Sequence, residues 1–198
     1  MPVPVPDAAP FDLLVIGAGA AGSTVAFEAA VQGARVAMVE EWKVGGTCLN
    51  AGCDPTKTLV RSAEVLHLAR TAGRFGLTVE GAAADWPAVR RRVAGVIDTI
   101  RGGDGDRNVR EAGIELVKAH ARFVSPHAVE AGGRRLEAAK IVVAVGAKAS
   151  VPEVPGLREA GFVTNVEAVD LPALPRRLAV VGGGVVAVEF AQVFARFG

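Results

Sequence analysis

The residues Phe11-Asp-Leu-Leu-Val-Ile-Gly-Ala-Gly-Ala-Ala-Gly22 decide the reading of this chain. Residues 11–16 are a short apolar run of the kind that makes a strand buried on both faces. The glycines follow at once, and Ser23 to Gln32 then reads as a helix closed by Gly33. Ala34 to Val39 is a second buried strand ending in Glu40 and Glu41. Strand, glycine turn, helix and strand make one βαβ unit. In such a unit Gly17 permits a tight turn, Gly19 lets the backbone approach a diphosphate, and Gly22 lets helix and strand pack closely. The diphosphate then sits at the positive end of the helix, and Glu40 stands where an acid can hold a ribose hydroxyl. The bland alternative is an ordinary glycine-rich turn.

Working outward, the same pattern returns. Leu178 to Ala187 mirrors Leu13 to Gly22 at a constant offset, so that Gly182, Gly184 and Ala187 repeat Gly17, Gly19 and Gly22. A second strand, glycine turn and helix is therefore expected over 178–198. No second strand follows it, which makes the chain look cut off in mid-domain. Between the repeats, 42–52 reads as a glycine-rich loop around Cys48. Asp54 and Pro55 read as N-cap and first residue of a helix running to about Arg70 or Thr71. A further helix spans Trp86 to Ile100, with Trp86, Val89, Val93, Val96, Ile97 and Ile100 on one face. Arg90, Arg91 and Arg92 read as its solvated side. Short strands follow at 114–118, 121–124 and 128–131, a hairpin at Gly132-Gly133, and a buried strand over 140–145. Val151 to Gly156 is proline-rich and suits a linker.

Composition excludes several classes. Of 198 residues, 51% are hydrophobic and 22% charged, enough apolar side chain for a sizeable core and too much for a disordered chain. Lys and Arg number 22 against 21 Asp and Glu, a balance that argues against nucleic acid as partner. The first ten residues hold four prolines and no basic region before an apolar stretch, so they read as a mobile arm rather than a signal peptide. The apolar stretch 13–31 is broken by Gly17, Gly19 and Gly22, which argues against a membrane span. A soluble, cytoplasmic protein is expected, with no membrane partner.

Cys48 and Cys53 are the only cysteines. Two ligands cannot fill a tetrahedral metal site, and the three histidines, His67, His120 and His127, show no ligand spacing, so no metal site is expected. The cysteines read either as buried thiols or a stapling disulfide, or as a redox pair. A six-residue ring stabilises by only about 2 kcal/mol through loop entropy, and cytosolic proteins seldom keep a static disulfide. Cys53 also stands at the positive end of a helix, which favours a thiolate. Lys57, in the first turn of that helix, is either a solvated cation or one held for an acid. The candidate acid is Glu189, expected to be buried among Val188, Phe190 and Ala191.

The string Gly45-Gly-Thr-Cys-Leu-Asn-Ala-Gly-Cys-Asp-Pro-Thr-Lys57 resembles the flavoprotein disulfide reductases, the class I pyridine nucleotide-disulfide oxidoreductases that use FAD and NAD(P)H. Residues 17–22, Glu40, the strand around Ala119 to Phe123, 141–146, 151–156 and 182–189 agree in order. The likeness implies an α/β fold. A Rossmann-like FAD-binding domain over 11–150 would combine a parallel sheet, helices and a small β-meander. A linker over 151–176 would lead to the first strand and helix of a second Rossmann-like NAD(P) domain at 177–198. It covers nearly the whole chain but only the amino-terminal part of such an enzyme, and the chain alone is expected to be inactive. By this resemblance, electrons pass from NAD(P)H through FAD to a Cys48–Cys53 disulfide and on to a small-molecule disulfide or metal-ion substrate. Cys53 would be the flavin-proximal thiol, Cys48 the interchange thiol, and Lys57 and Glu189 an ion pair beside the flavin. Gly17, Gly19, Ala20, Gly22, Glu40, Gly46, Thr47, Lys57, Ala121, Ala144 and Gly146 would line the FAD site. Gly182, Gly184 and Ala187 would meet the pyridine nucleotide.

Within the family, residues 55–60 and Phe75-Gly76 are most similar to the mercuric-reductase-like group, with dihydrolipoamide dehydrogenases as the alternative. A homodimer is the family expectation. Other readings are a flavin-binding remnant without turnover, or a flavin monooxygenase or oxidase without dithiol chemistry; the cysteine string argues against the latter. Two departures are local. Val145 stands where the family has Thr, and Asp54 is an unusual charge beside the redox thiol. That acid would oppose a thiolate at Cys53 unless it turns away to cap the helix.

Overall fold

The structure is a computed structural model that describes residues 10–198. All but the last residue of the expected N-terminal arm therefore lies outside the described residues. Along the chain run β1 (Phe11–Ile16), α1 (Ala20–Val31), β2 (Val36–Glu40), α2 (Gly46–Ala51), α3 (Cys53–Arg70), a 3₁₀ turn (Ala72–Phe75), α4 (Trp86–Arg101), α5 (Gly105–Glu111), β3 (Glu115–Lys118), β4 (Ala121–Ser125), β5 (Ala128–Ala131), β6 (Arg134–Val143), α6 (Leu157–Ala160), α7 (Asn165–Ala168) and α8 (Val185–Phe197). No helix among the described residues is long and apolar enough to cross a membrane. The chain forms two compact units, one of residues up to 48 together with 101–148, the other of 49–100 together with 149–198.

The first unit holds a six-stranded sheet in the order β3-β2-β1-β6-β5-β4. β1 lies parallel to β2 on one side and to β6 on the other, and β2 is parallel to β3. Alternation sends the side chains of β1 and β2 to two faces, and both are buried. Leu14, Ile16, Ala37 and Val39 meet Val129, Ala131 and Leu136 of the antiparallel strands. Val15, Val36 and Met38 meet Ala26 of α1 and Val109 of α5. One face of the parallel strands is thus covered by the β-meander and the other by helices.

β6 begins earlier than the strand expected over 140–145. Its residues 134–137 pair antiparallel with β5, and 138–143 pair parallel with β1. One strand thus serves both parts of the sheet, an arrangement that the buried 140–145 run alone could not reveal. The hairpin between β5 and β6 turns on Gly132 and Gly133, whose φ values of 57° and 73° lie in the left-handed region that glycine adopts without a Cβ clash.

The second unit is helical. Leu59, Ala63 and Leu66 of α3, Trp86 and Val93 of α4, and Phe190, Val193, Phe194 and Phe197 of α8 form one core. Trp86 packs edge-on against Phe197 with ring centroids 5.3 Å apart, and its indole N–H donates to the Leu171 carbonyl at 2.8 Å. Ala168 and Val169, within the span expected as a linker, are buried in the same core. The α4 stripe ends sooner than expected, because Ile100 is 54% exposed. Nor are the α4 arginines only a solvated face. Arg90 pairs with Asp170 at 2.7 Å, which raises its already high pKa, and Arg92 donates to the Thr58 carbonyl at 3.1 Å. The strand expected over 178–181 does not form; these residues have no regular structure, and Val181 is 66% exposed. A strand exists only through pairing, and no strand of the described residues pairs with this segment.

Candidate functional site

In the first unit the site is built at the carboxyl ends of the parallel strands. β1 lies between β2 and β6, so the strand order reverses beside it, where open α/β sheets bind their ligands. Gly17 leaves β1 with φ 101°, and a Cβ there would collide with the Ala144 carbonyl at the end of β6. At Gly22 a Cβ would strike the Gly17 carbonyl, so only glycine lets α1 pack this close to the turn. Gly19 differs. A Cβ there would meet only the Gly46 Cα, at 3.8 Å, which leaves its backbone open at the N-terminus of α1. Ala20 opens that helix, and the Gly45 N–H donates to the Ala18 carbonyl at 2.8 Å. The segment leading to Cys48 is thereby anchored on the glycine turn.

Glu40 ends β2 and is 8% exposed. Its carboxylate accepts the Ala18 N–H at 2.7 Å and the Trp42 N–H at 2.6 Å. One acid therefore ties the glycine turn to the chain after β2. A carboxylate accepts about four hydrogen bonds, so two remain for hydroxyl groups of a ligand. Ala121 opens β4 opposite Ala131, and Gly146 follows β6 with φ 67°. The cradle without Cβ atoms at Gly19, the helix N-terminus behind it and the buried acid fit the diphosphate and ribose of a dinucleotide.

Residues 46–51 are a helix, α2, where a loop was expected. Gly45 and Gly46, with φ of 93° and 57°, make the sharp entry that lets Thr47 onward turn helical. Cys48 lies half-buried in α2 and Thr47 is exposed. In the second unit Cys53, an exposed thiol, is the first residue of α3, and the N-cap is Gly52. Asp54 is therefore not the cap. It sits inside the first turn, and no side chain caps this helix end. Lys57, one turn further on, forms an ion pair with Glu189 of α8. Glu189 is only half-buried, not enclosed as expected, and the neighbouring Val188 is 59% exposed. Gly182, with φ 129°, and Gly184, the N-cap of α8, are exposed, and Ala187 is half-buried.

Some neighbours of the nucleotide end were not legible in the sequence. The Lys118 ammonium donates to the Trp42 carbonyl at 2.6 Å, and His120 Nδ1 pairs with Glu41 at 2.7 Å. The His120 hydrogen bond, followed by its charge and that of Lys148, holds the Glu41 carboxyl below the usual carboxylate range. Only the pairing of β2 with β3 brings these residues together, and sequence spacing carries no trace of it.

The fold is of the mixed α/β class, with a crevice at the strand ends that fits a dinucleotide and a segment carrying two cysteines beyond it. Residues 11–198 match the family profile of the pyridine nucleotide-disulphide oxidoreductases, and the chain belongs to that family. It is 36% identical over 188 residues to a mercuric reductase of Staphylococcus aureus, covering 95% of this chain and 34% of that protein. It is 35% identical over 193 residues to a dihydrolipoyl dehydrogenase of Acholeplasma laidlawii, covering 95% of this chain and 57% of the relative. Among solved structures it is similar to the HOCl-induced flavoprotein disulfide reductase RclA from Escherichia coli, with a TM-score of 0.80 and 32% identity over 95% of this chain and 40% of that one. The chain thus spans between about one-third and three-fifths of the length of these relatives.

Proposed function

We propose that the chain carries the flavin-binding and dithiol elements of an NAD(P)H-dependent oxidoreductase that reduces a disulfide or a thiophilic metal ion. The observation that carries this reading is the crevice at Gly17, Gly19 and Glu40, joined through Gly45 and Gly46 to the string that holds Cys48 and Cys53. FAD would be held by the α1 N-terminus at its diphosphate and by Glu40 at its ribose. When bound, it would supply two-electron exchange between a nicotinamide and a disulfide. Residues 11–150 would serve as the FAD domain, 151–176 as linker and 177–198 as the start of an NAD(P) domain, with Gly182, Gly184 and Ala187 toward the pyridine nucleotide.

The residues of the chain divide the remaining work. Cys53, at a helix N-terminus, would act as the thiolate facing the flavin, and Cys48 as the thiol that exchanges with substrate. Lys57, oriented by Glu189, would keep a positive charge in that site. The mercuric-reductase-like sequence of 55–60 favours a thiophilic metal ion as final acceptor, and the likeness to dihydrolipoyl dehydrogenases makes a small disulfide the alternative.

Flavin retention tests the reading. The chain, mixed with FAD and desalted, is expected to keep a flavin absorbance spectrum, and Glu40→Gln is expected to bind FAD about tenfold more weakly. A chain that retains no flavin contradicts the proposal.

A further inference from the structure

Asn165 opens α7, inside the span expected as a linker, and its side-chain amide donates to the Ala51 carbonyl at 2.9 Å. The two residues are 114 positions apart in the chain. Ala51 ends α2 and is 1% exposed, and its carbonyl is one of the acceptors that a helix end leaves without an intrahelical partner. A buried carbonyl without a donor is costly, and Asn165 supplies the donor.

The bond is braced from behind. Thr164, the N-cap of α7, accepts the Val166 N–H at 3.3 Å, and the Glu167 carboxylate accepts both the Thr164 N–H and the Thr164 hydroxyl at 2.7 Å. Ala168 and Val169, which follow, are buried in the same core as Ala51 and Leu59. Asn165 therefore projects from a capped turn that is seated in the core of its own acceptor.

The bond fixes the peptide that leads into α3. Ala51 is followed by Gly52, the N-cap, and then by Cys53. The Gly52 carbonyl accepts the Thr56 N–H at 3.0 Å. The two carbonyls before Cys53 are thus both engaged, one by Asn165 and the other by the helix that Cys53 begins. Together they set the path of the chain from Cys48 to Cys53.

We propose that Asn165 is a positioning residue for the dithiol: by fixing the Ala51 carbonyl it holds the chain between Cys48 and Cys53 in a preformed path and so favours closure of their disulfide. A disulfide accepts a narrow range of geometry, which a fixed chain meets more often than a loose one. The inference rests on Cys48 and Cys53 being the redox pair of the proposed function.

The test equilibrates the full chain, without flavin, against mixtures of glutathione and glutathione disulfide. In each closure the two thiols form the Cys48–Cys53 bond, and glutathione disulfide is cleaved to two glutathione thiols that carry off the two electrons and two protons. The closed fraction is counted by mass spectrometry after free thiols are trapped with iodoacetamide. Asn165→Asp keeps the shape but has no N–H to donate, and Asn165→Ala removes the group. Each is expected to lower the equilibrium constant for closure about fivefold, as loss of one hydrogen bond does. Trp86→Phe loses the bond to Leu171 in the same core but leaves Asn165 and Ala51 in place, and it is expected to match the parent. A constant that is unchanged or raised in either Asn165 variant overturns the proposal. So does an equal loss in Trp86→Phe, because general loosening of the core would then be responsible. A parent that closes no disulfide at any glutathione ratio refutes the proposed dithiol and this inference together. A parent that closes while the Asn165 variants match it refutes this inference alone.

Discussion

Gly22 and Glu40 carry different burdens in the same turn. Gly22 is demanded by space, since any side chain there meets the Gly17 carbonyl. Gly22→Ala is expected to destabilise the chain by about 3 kcal/mol, as overpacking at backbone contact does, and urea unfolding measures it. Glu40 is demanded by charge. Glu40→Ala would leave the Ala18 and Trp42 N–H groups without their acceptor and is expected to cost about 1–3 kcal/mol in the same assay. Both residues stood out in the sequence because each motif position has a physical reason. What the sequence did not reveal was that Glu40 serves the protein's own backbone as well as a ligand. Backbone donors carry no residue signature, so a bond from Ala18 is invisible until the strands are placed.

Among the elements, α7 is four residues long and exists through its cap. Thr164 accepts from the Val166 N–H at 3.3 Å, and Glu167 accepts the Thr164 N–H at 2.7 Å. Hydrogen bonds from the Thr164 hydroxyl and N–H hold the Glu167 carboxyl below its ordinary range. A carboxyl depressed in the folded state stabilises above its unfolded value and loses that contribution as pH falls through the folded one. Glu167→Gln is therefore expected to be less stable than the parent at pH 7, with the gap closing below about pH 4 in chemical unfolding. Thr164→Ala is expected to cost about 1 kcal/mol. The core behind α7 depends on Trp86. Trp86→Ala is expected to cost about 3–5 kcal/mol by cavity formation, and Trp86→Phe about 1 kcal/mol through the lost bond to Leu171. The α4 face was legible because its spacing follows the helical period from Trp86 to Ile97. Its end was not, since nothing in the spacing says where the partner helices stop covering it, and Ile100 is exposed. α2 is not legible in the sequence, because the glycines at 45 and 46 read as loop, whereas they only bend the chain into the helix.

For the molecule as a whole, the parallel βαβ unit and the order of motifs were readable because each is local. The double use of β6, the meander laid over one face of the parallel strands and the missing strand at 178–181 were not. Each depends on which segments find partners far away in sequence. The same holds for Lys57 and Glu189, 132 residues apart, which charge and family resemblance suggested and the helices α3 and α8 bring together. In the proposed function the chain holds a flavin next to a working thiol pair. Its most direct test is the visible spectrum of the FAD-loaded chain during stepwise reduction with a dithiol. A long-wavelength charge-transfer band is expected on reduction, surviving Cys48→Ser and disappearing with Cys53→Ser. A retained flavin that never develops the band, or a band that follows Cys48 instead, would contradict it.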